Sequence, residues 1–216
     1  MTNLSQLQGA LFDFDGTLAP NLDLPDMRRQ VLEFTLRTDV PETVYADRYI
    51  VEVIDAAYVW LQHNRPDTAS AYRDEAHELI TNIELNAART TSPFPGIPTK
   101  LGELRAAGLR LGVVTRNCRA AVLQVFPHLE SHIDALHTRD DTAFLKPDPR
   151  HLQACLDAIG SRPDETAMIG DGALDMHAGS RLGMYCIGVL SGSANEKTLK
   201  KAGAQLVIED CLALAC

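Results

Sequence analysis

The segment FDFDGTL at residues 12–18 organises the rest of this chain. It ends an apolar run, residues 10–12, that is typical of a buried strand, and its glycine indicates a turn. The turn lifts two carboxylates, Asp13 and Asp15, off the end of that strand. Because ligands of α/β proteins gather outside the carboxyl ends of the strands, this acidic pair is a candidate site.

Length and charge narrow the class of protein. The 216 residues suffice for one large core, or for a core with a small accessory domain. The 29 acidic residues outnumber the 20 lysines and arginines, and the charge of -9 disfavours attraction to nucleic acid or anionic membranes. No apolar run approaches the roughly 20 residues of a membrane-spanning helix, and residues 1–8 lack the features of a signal peptide. We therefore expect a cytoplasmic protein with neither nucleic acid nor membrane as a partner.

The five cysteines are odd in number and form no C-x-x-C pair, so we expect neither a disulfide framework nor a zinc site. Cys118 lies close to a motif described below and is a candidate reactive thiol, although cysteine more commonly serves as a small hydrophobe. The other cysteines are Cys155, Cys186, Cys211 and Cys216.

Residues 19–91 have a helical composition. A proline in the first turn predicts a helix over residues 24–36. A second helix is predicted to begin near Pro41 and a third to cover residues 72–87, because apolar side chains recur at three- and four-residue steps in both. We expect these helices to form a small bundle that ends at the proline-rich turn of residues 91–98.

Strands and helices alternate after this turn, which is typical of a parallel sheet with helices on both faces. We therefore predict an α/β fold, a Rossmann-like doubly wound parallel sheet with a small α-helical cap domain inserted after the first strand. The core would comprise residues 1–18 and 92–216, and the cap residues 19–91. Strands are predicted at residues 109–115, 133–136, 167–169, 186–190 and 206–208, and helices at residues 99–107, 150–159, 174–182 and 194–202.

Asp13 and Asp15 are two residues apart, so their side chains leave the strand end on the same side. They could share one metal ion or divide two roles. One carboxylate can attack phosphorus and form an acyl phosphate, while the other protonates the leaving oxygen and later activates water. The alternative is a plain turn, because Asp and Gly favour turns.

Three further polar segments each follow a predicted strand. Thr115-Arg116-Asn117 offers a hydroxyl and backbone N–H groups where we expect a helix to begin, a place that favours an anion. Lys146-Pro147-Asp148-Pro149 holds a lysine on a stretch stiffened by two prolines, which suits a fixed cation beside phosphate. Asp171 and Asp175 lie at a strand-to-helix junction, and their oxygen ligands suit Mg²⁺. Taken singly, each segment has a simpler explanation as a helix cap or a solvated lysine.

These segments occur in the order of the four motifs of the haloacid dehalogenase superfamily, which the chain resembles over essentially its whole length. The motifs are Asp13-x-Asp15-Gly16-Thr17-Leu18, Thr115, Lys146-Pro147 and Gly170-Asp171-x-x-x-Asp175. The first motif is the most specific of them. A helical cap inserted after it is similar to the phosphoglycolate phosphatase-like branch of the superfamily.

The resemblance implies a division of roles among the catalytic residues. Asp13 would be the nucleophile and Asp15 the general acid and base. Thr115, with the backbone N–H after it, would bind the transferring phosphoryl group. Lys146 would neutralise charge between Asp13 and phosphate, so that a carboxylate can approach a dianion.

The resemblance also implies a magnesium site. Mg²⁺ would be held by the carboxylates of Asp13 and Asp171 and by the backbone carbonyl of Asp15. Asp175 would bind the ion directly or through water.

A third set of residues would lie against the substrate, namely Gly16, Thr17, Arg116 and Asn117. Many relatives carry the asparagine directly after the hydroxyl residue of the second motif, whereas this chain has Arg116 there and Asn117 one place later. Whether Arg116 or Asn117 faces the substrate is left open by the sequence. Substrate choice would rest on the cap.

The presence of an aspartate at position 15 indicates which type of bond is cleaved. Relatives that cleave carbon–halogen or carbon–phosphorus bonds lack an aspartate there, so the resemblance implies a phosphate ester or anhydride. We predict a Mg²⁺-dependent phosphatase that acts on a small phosphorylated metabolite, first on phosphoglycolate-like acids, through an aspartyl phosphate. The alternatives are a phosphotransferase resembling β-phosphoglucomutase and a non-catalytic regulatory module. We expect a monomer or a homodimer.

Overall fold

The computed structural model describes residues 2–4 and 6–215, so Cys216 lies outside the described residues. The chain divides into two compact units. The sheet unit comprises Met1–Leu22 and Ala88–Cys216, and the helical unit comprises Asp23–Ala87. The domain boundaries predicted from the sequence, after residues 18 and 91, lie near these divisions and stay a prediction.

Three helices account for most of the helical unit: α1 (Leu24–Thr35), α2 (Ile50–Asn64) and α3 (Pro66–Ala88). The first begins where the Asp23 side chain accepts a hydrogen bond of 3.0 Å from the backbone N–H of Asp26, with a proline in the first turn. The buried hydroxyl groups of Thr35 and Tyr72 lie 2.8 Å apart and join α1 to α3. Beside them, the rings of Phe34 and Tyr72 stack with 5.7 Å between centroids.

The start predicted for the second helix is wrong. Near Pro41 the chain forms only a short 3₁₀ turn, Glu42–Val44, and α2 begins at Ile50. Side chains occupy the carbonyls that a helix through this region would use. Arg28 donates to the carbonyl of Ala46, and Nε of Arg48 donates to the carbonyl of Val44 at 2.8 Å.

The sheet unit contains a six-stranded parallel sheet and a small two-stranded one. The small sheet pairs β1 (Thr2–Asn3) with β8 (Leu214–Ala215). The strands of the large sheet are β2 (Gly9–Phe12), β3 (Arg110–Val114), β4 (Ala135–His137), β5 (Thr166–Gly170), β6 (Tyr185–Val189) and β7 (Leu206–Ile208). Their order is β4-β3-β2-β5-β6-β7, which places β2 and β5 side by side at the centre.

Helices flank this sheet, and its central strands are therefore buried apolar runs rather than alternating ones. Both β2 and β5 are buried along their whole length. The helices are α4 (Ile97–Ala106), α5 (Arg119–Val125), α6 (Leu129–His132), α7 (Pro149–Ile159), α8 (Ala173–Leu182) and α9 (Glu196–Ala202). The predicted α/β fold, a Rossmann-like doubly wound parallel sheet with an inserted helical segment, is confirmed. Within the described residues, no helix is both long and apolar enough to cross a membrane.

Candidate active site

The four predicted motifs meet at one edge of the large sheet. Asp13 directly follows β2, Thr115 directly follows β3, and Asp171 directly follows β5. These strands are neighbours in the order β3-β2-β5, and parallel strands end at the same edge of a sheet. The backbone N–H of Asp13 still donates to Ile169 of β5 at 2.9 Å, so pairing of the two central strands continues to the first carboxylate.

Lys146 lies at the centre of the site, with 1% of its side chain exposed. Its Nζ lies 2.8 Å from Oδ1 of Asp13 and 2.7 Å from Oδ1 of Asp175, and it donates to the carbonyl of Val114 at 2.7 Å. Burial opposes the charged form of this lysine. The two carboxylates outweigh that effect and hold the pKa of Lys146 above its usual value.

Three carboxyl groups cluster here, two of them in contact with Lys146. Asp13, Asp171 and Asp175 each offer an oxygen within 4.8 Å of the others. Burial raises the pKa of the Asp13 carboxyl well above its usual range, and repulsion from Asp175 adds to it, whereas Lys146 acts in the opposite direction. Burial likewise raises the pKa of Asp175 against the opposing effect of Lys146.

The cluster fits a divalent cation. Three carboxyl groups share one buried lysine, so ionising all three would leave two negative charges uncompensated. Buried charges are costly unless they are paired or coordinate a metal. Carboxylate oxygens are the ligands that Mg²⁺ prefers, and one or two protein carboxylates are its usual complement. The residues present therefore suit Mg²⁺ both in charge and in donor type.

Asp171 is held by donors that the sequence did not predict. Its Oδ2 accepts hydrogen bonds from the backbone N–H of Ser193 at 2.7 Å, from Oγ of Ser193 at 3.0 Å and from Nδ2 of Asn21 at 3.4 Å. All of these hydrogen bonds are accepted by Oδ2, so they fix the orientation of the carboxylate through this one oxygen. Second-shell contacts of this kind orient metal-binding carboxylates.

Glycines allow the backbone to approach these acids closely. A Cβ on Gly170 would lie 2.5 Å from Oδ2 of Asp175, and one on Gly192 would lie 2.1 Å from Oδ2 of Asp171. Gly16 has φ +79, in the left-handed region that favours glycine, and a Cβ there would lie 2.6 Å from Asp171. Backbone at these three glycines thus packs directly against Asp171 and Asp175.

Asp15, two residues after Asp13, is half-buried. Nδ2 of Asn117 donates to both of its carboxylate oxygens, at 3.2 Å to Oδ1 and 3.1 Å to Oδ2. Oγ1 of Thr115 donates to Oδ2 at a longer distance of 3.4 Å. The second motif therefore contacts the second carboxylate of the first motif directly.

The remaining predicted site residues lie around this centre. Gly16 and Thr17 are buried in the turn after Asp15, and the carbonyl of Gly16 accepts a hydrogen bond of 2.8 Å from Oγ of Ser191. Arg116 is half-buried, and its guanidinium donates to the backbone carbonyl of Lys146. Cys118, the candidate reactive thiol, is buried, as are Cys155, Cys186 and Cys211.

Sequence reasoning did not single out Asn21, Ser191 or Ser193. Their partners are far away along the chain, so no spacing pattern marks them. The only available signal was position, since Ser191 and Ser193 follow β6, another strand that ends at this edge of the sheet.

Comparisons with known proteins agree with this geometry. The family model for haloacid dehalogenase-like hydrolases matches residues 10–189. A phosphoglycolate phosphatase from Caulobacter vibrioides is 28% identical and covers 98% of this chain and 92% of its own length. The pyrophosphatase PpaX from Halalkalibacterium halodurans is 26% identical, with 83% of this chain and 81% of that protein covered. The crystal structure of a hydrolase from Pseudomonas syringae superposes with a TM-score of 0.69 at 24% identity, covering 95% of this chain and 94% of that one.

Fold and site together define a hydrolase built on a Rossmann-like sheet, with an acidic cluster and a buried lysine at the carboxyl ends of its central strands. The family match covers most of the chain. The chain belongs to the haloacid dehalogenase-like hydrolases.

Proposed function

We propose that this chain is a Mg²⁺-dependent phosphatase that hydrolyses a small phosphate monoester through an aspartyl phosphate on Asp13. The observation that carries the proposal is the contact of Lys146 with Asp13 inside a cluster of three acids. Lys146 supplies a fixed cation, and the neighbouring acids supply oxygen ligands for a metal ion. Both suit nucleophilic attack by the partly exposed carboxylate of Asp13 on a phosphate dianion.

The exposed fraction of the side chain distinguishes Asp13 from Asp175. Asp13 has 15% of its side chain exposed, whereas Asp175 has 2%. Among the described residues, the contacts of the Asp13 carboxylate are made by Oδ1. This oxygen pairs with Nζ of Lys146 and accepts a hydrogen bond from the backbone N–H of Phe14 at 2.7 Å. We therefore assign Oδ2 of Asp13 as the attacking oxygen.

Asp13, Asp171 and Asp175, with the backbone carbonyl of Asp15, are the residues that would hold Mg²⁺. The ion would supply charge neutralisation to the phosphoryl oxygens as a Lewis acid. In the first step Oδ2 of Asp13 forms a bond to phosphorus, the bond from phosphorus to the ester oxygen breaks, and that oxygen takes a proton from Asp15. Lys146 stabilises the charge on Asp13 and on the transferred group throughout.

In the second step Asp15, now ionised, accepts a proton from water while the water oxygen bonds to phosphorus. The bond between phosphorus and Asp13 breaks, which releases inorganic phosphate and restores the carboxylate. One residue thus acts first as acid and then as base, a role that general acid–base catalysis assigns to a carboxyl group within hydrogen-bond reach of both oxygens.

The relatives suggest where to look for the substrate. The likeness to a phosphoglycolate phosphatase over nearly the whole chain makes the ester 2-phosphoglycolate the first substrate to test, and the likeness to a pyrophosphatase makes the anhydride pyrophosphate the second. That the helical unit selects between substrates stays a prediction. A sugar phosphate assayed with its bisphosphate belongs in the same panel, because a phosphotransferase would turn over there without releasing free phosphate.

The test is phosphate release from this panel by wild-type protein, by Asp13→Asn and by Asp157→Asn. Asp157 is an exposed acid on α7 and serves as a matched control for purification and for the substitution itself. We expect wild-type and control to turn over equally, Asp13→Asn to lose at least about 1,000-fold in kcat/KM, and chelation of Mg²⁺ to abolish turnover reversibly. Undiminished turnover in Asp13→Asn or in chelator would overturn the proposal.

A further inference from the structure

All four polar groups of Asn117 are bonded inside the protein. Its backbone N–H donates to Oγ1 of Thr115 at 3.1 Å, and its backbone carbonyl accepts from the N–H of Arg139 at 3.0 Å. Its side-chain oxygen accepts from the N–H of Cys118 at 2.8 Å, and its side-chain nitrogen donates to Asp15. With 4% of its surface exposed, this asparagine offers little to a substrate.

The orientation of the amide follows from these bonds. Only an oxygen can accept from the Cys118 N–H, so Oδ1 must face the start of α5 and the NH₂ group must face Asp15. The nitrogen then lies 3.2 Å and 3.1 Å from the two carboxylate oxygens. A donor placed between both oxygens fixes the plane of the carboxylate as well as its position.

The spacing of the second motif produces this contact. Arg116 separates the asparagine from Thr115, and the backbone between them turns so that the Asn117 N–H reaches the threonine hydroxyl. Both side chains consequently point to Asp15, with Thr115 as the more distant donor at 3.4 Å. An asparagine directly after the threonine would not occupy this position in the turn.

We propose that Asn117 is a positioning residue that holds the carboxylate of Asp15 in its proton-transferring orientation, and that it does not bind substrate. The inference rests on the proposed function, in which Asp15 moves the protons. Asp15 is half-buried, and the amide of Asn117 contacts both of its carboxylate oxygens. Proton transfer requires the carboxyl oxygen to lie on the leaving group, and small displacements of a catalytic group reduce the rate strongly.

The variant Asn117→Asp separates positioning from structure. It keeps the size of the side chain and an oxygen acceptor for the Cys118 N–H. It replaces the donor to Asp15 with an oxygen that repels it. Asn117→Ala serves as the second variant, and the melting temperature of each confirms that it is folded.

The assay compares the hydrolysis of an alkyl phosphate with that of p-nitrophenyl phosphate under the same conditions. An alkyl alcohol leaves poorly without a proton, whereas p-nitrophenolate leaves without one. We expect Asn117→Asp to lower kcat/KM for the alkyl ester by about 100-fold and for the aryl ester by less than about 10-fold, with KM little changed. In an Asp15→Ala background the substitution should cost almost nothing further, because it acts through Asp15.

Four results would overturn this role. Equal losses for both esters, or a rise in KM alone, would make Asn117 a substrate-binding residue. Wild-type kinetics in Asn117→Asp would make the amide purely structural, and full additivity with Asp15→Ala would show that it acts elsewhere. A wild-type protein that hydrolyses no ester in Mg²⁺ contradicts the proposed function itself, which distinguishes the two failures.

Discussion

Nζ of Lys146 lies 2.8 Å from Oδ1 of Asp13, where the lysine side chain is almost wholly removed from solvent. Lys146→Met removes this positive charge and leaves the acidic cluster without its internal counter-ion. We expect kcat/KM to fall by at least about 100-fold. In chelator the free energy of unfolding, measured with urea, should fall by about 3–5 kcal/mol, because a broken buried ion pair leaves an uncompensated charge.

Lys200→Met is the matched control for that substitution. Lys200 pairs with Glu196 at 2.5 Å, but 58% of the lysine side chain is exposed. Exposed pairs contribute little, so the control should change stability by less than about 1 kcal/mol and leave turnover unchanged. A Lys146→Met protein as stable and active as this control would contradict the central position given to Lys146.

Ser193→Ala tests how Asp171 is held. The substitution removes the Oγ donor to Oδ2 of Asp171 and keeps the backbone N–H donor. We expect the dissociation constant for Mg²⁺, measured by isothermal titration calorimetry without substrate, to rise by about 10-fold, since loss of a second-shell partner typically costs 10- to 100-fold. Ser131→Ala, at an exposed serine on α6, should leave it unchanged. Unchanged affinity in Ser193→Ala would show that the hydroxyl does not orient the ligand.

Gly170→Ala tests the close packing of backbone on the cluster. The added Cβ would lie 2.5 Å from Oδ2 of Asp175, so the carboxylate that contacts Lys146 must shift. We expect a loss of about 1–3 kcal/mol in unfolding free energy, the usual cost of overpacking, together with weakened Mg²⁺ binding. Gly102→Ala, within α4 and with open space around it, should instead stabilise the protein by up to about 1 kcal/mol. Equal effects of the two substitutions would contradict the packing argument.

His151 predicts a pH dependence of stability. It is fully buried, and its Nδ1 accepts from the backbone N–H of Lys146 at 3.3 Å. Burial lowers the pKa of His151 to about 3, and the charges of Lys146, His137 and Arg116 contribute. In the unfolded chain a histidine titrates near about 6.5, so between about 6.5 and 3 the unfolded state binds the extra proton. Stability should therefore fall as pH decreases through this window, by up to about 1.4 kcal/mol per pH unit.

Urea unfolding at several pH values between 6.5 and 5 checks this expectation. His151→Gln should flatten the curve relative to wild type, because the variant has no buried base that must stay unprotonated. His63→Gln, at an exposed histidine in α2, controls for loss of a histidine as such. Parallel curves for wild type and His151→Gln would show that this histidine does not cause the loss of stability at low pH.

The fold was predictable because its signals are local. Buried strands such as β2 and β5 are short apolar runs that end at glycine or aspartate, and α7 begins at a proline after a capping aspartate and ends at Gly160. The sequence indicated a helix start after Thr115 but not the bounds of α5, and it did not predict α6, because seven and four residues are too few to display a helical period. The start of α2 was missed because distant side chains such as Arg28 satisfy carbonyls before it.

The same distinction applies to the site. Residues with a fixed spacing, such as Asp13 and Asp15, could be found from the sequence, and topology brought them to the other motifs. The contacts of Asn117 with Asp15 and of Ser193 with Asp171 join residues 102 and 22 positions apart and leave no pattern in the chain. Such contacts depend on how the loops after different strands turn, which a single sequence does not specify.

The most direct test of the central claim is to trap the acyl phosphate. Wild-type protein is quenched at intervals across a single turnover with the best ester of the panel, reduced with borohydride, digested and analysed by peptide mass spectrometry. Borohydride reduces an acyl phosphate to the alcohol, so we predict homoserine in place of Asp13 at intermediate times, and intact aspartate when substrate is omitted. Recovery of unmodified Asp13 at every quench time, while phosphate is released, would contradict attack by this carboxylate.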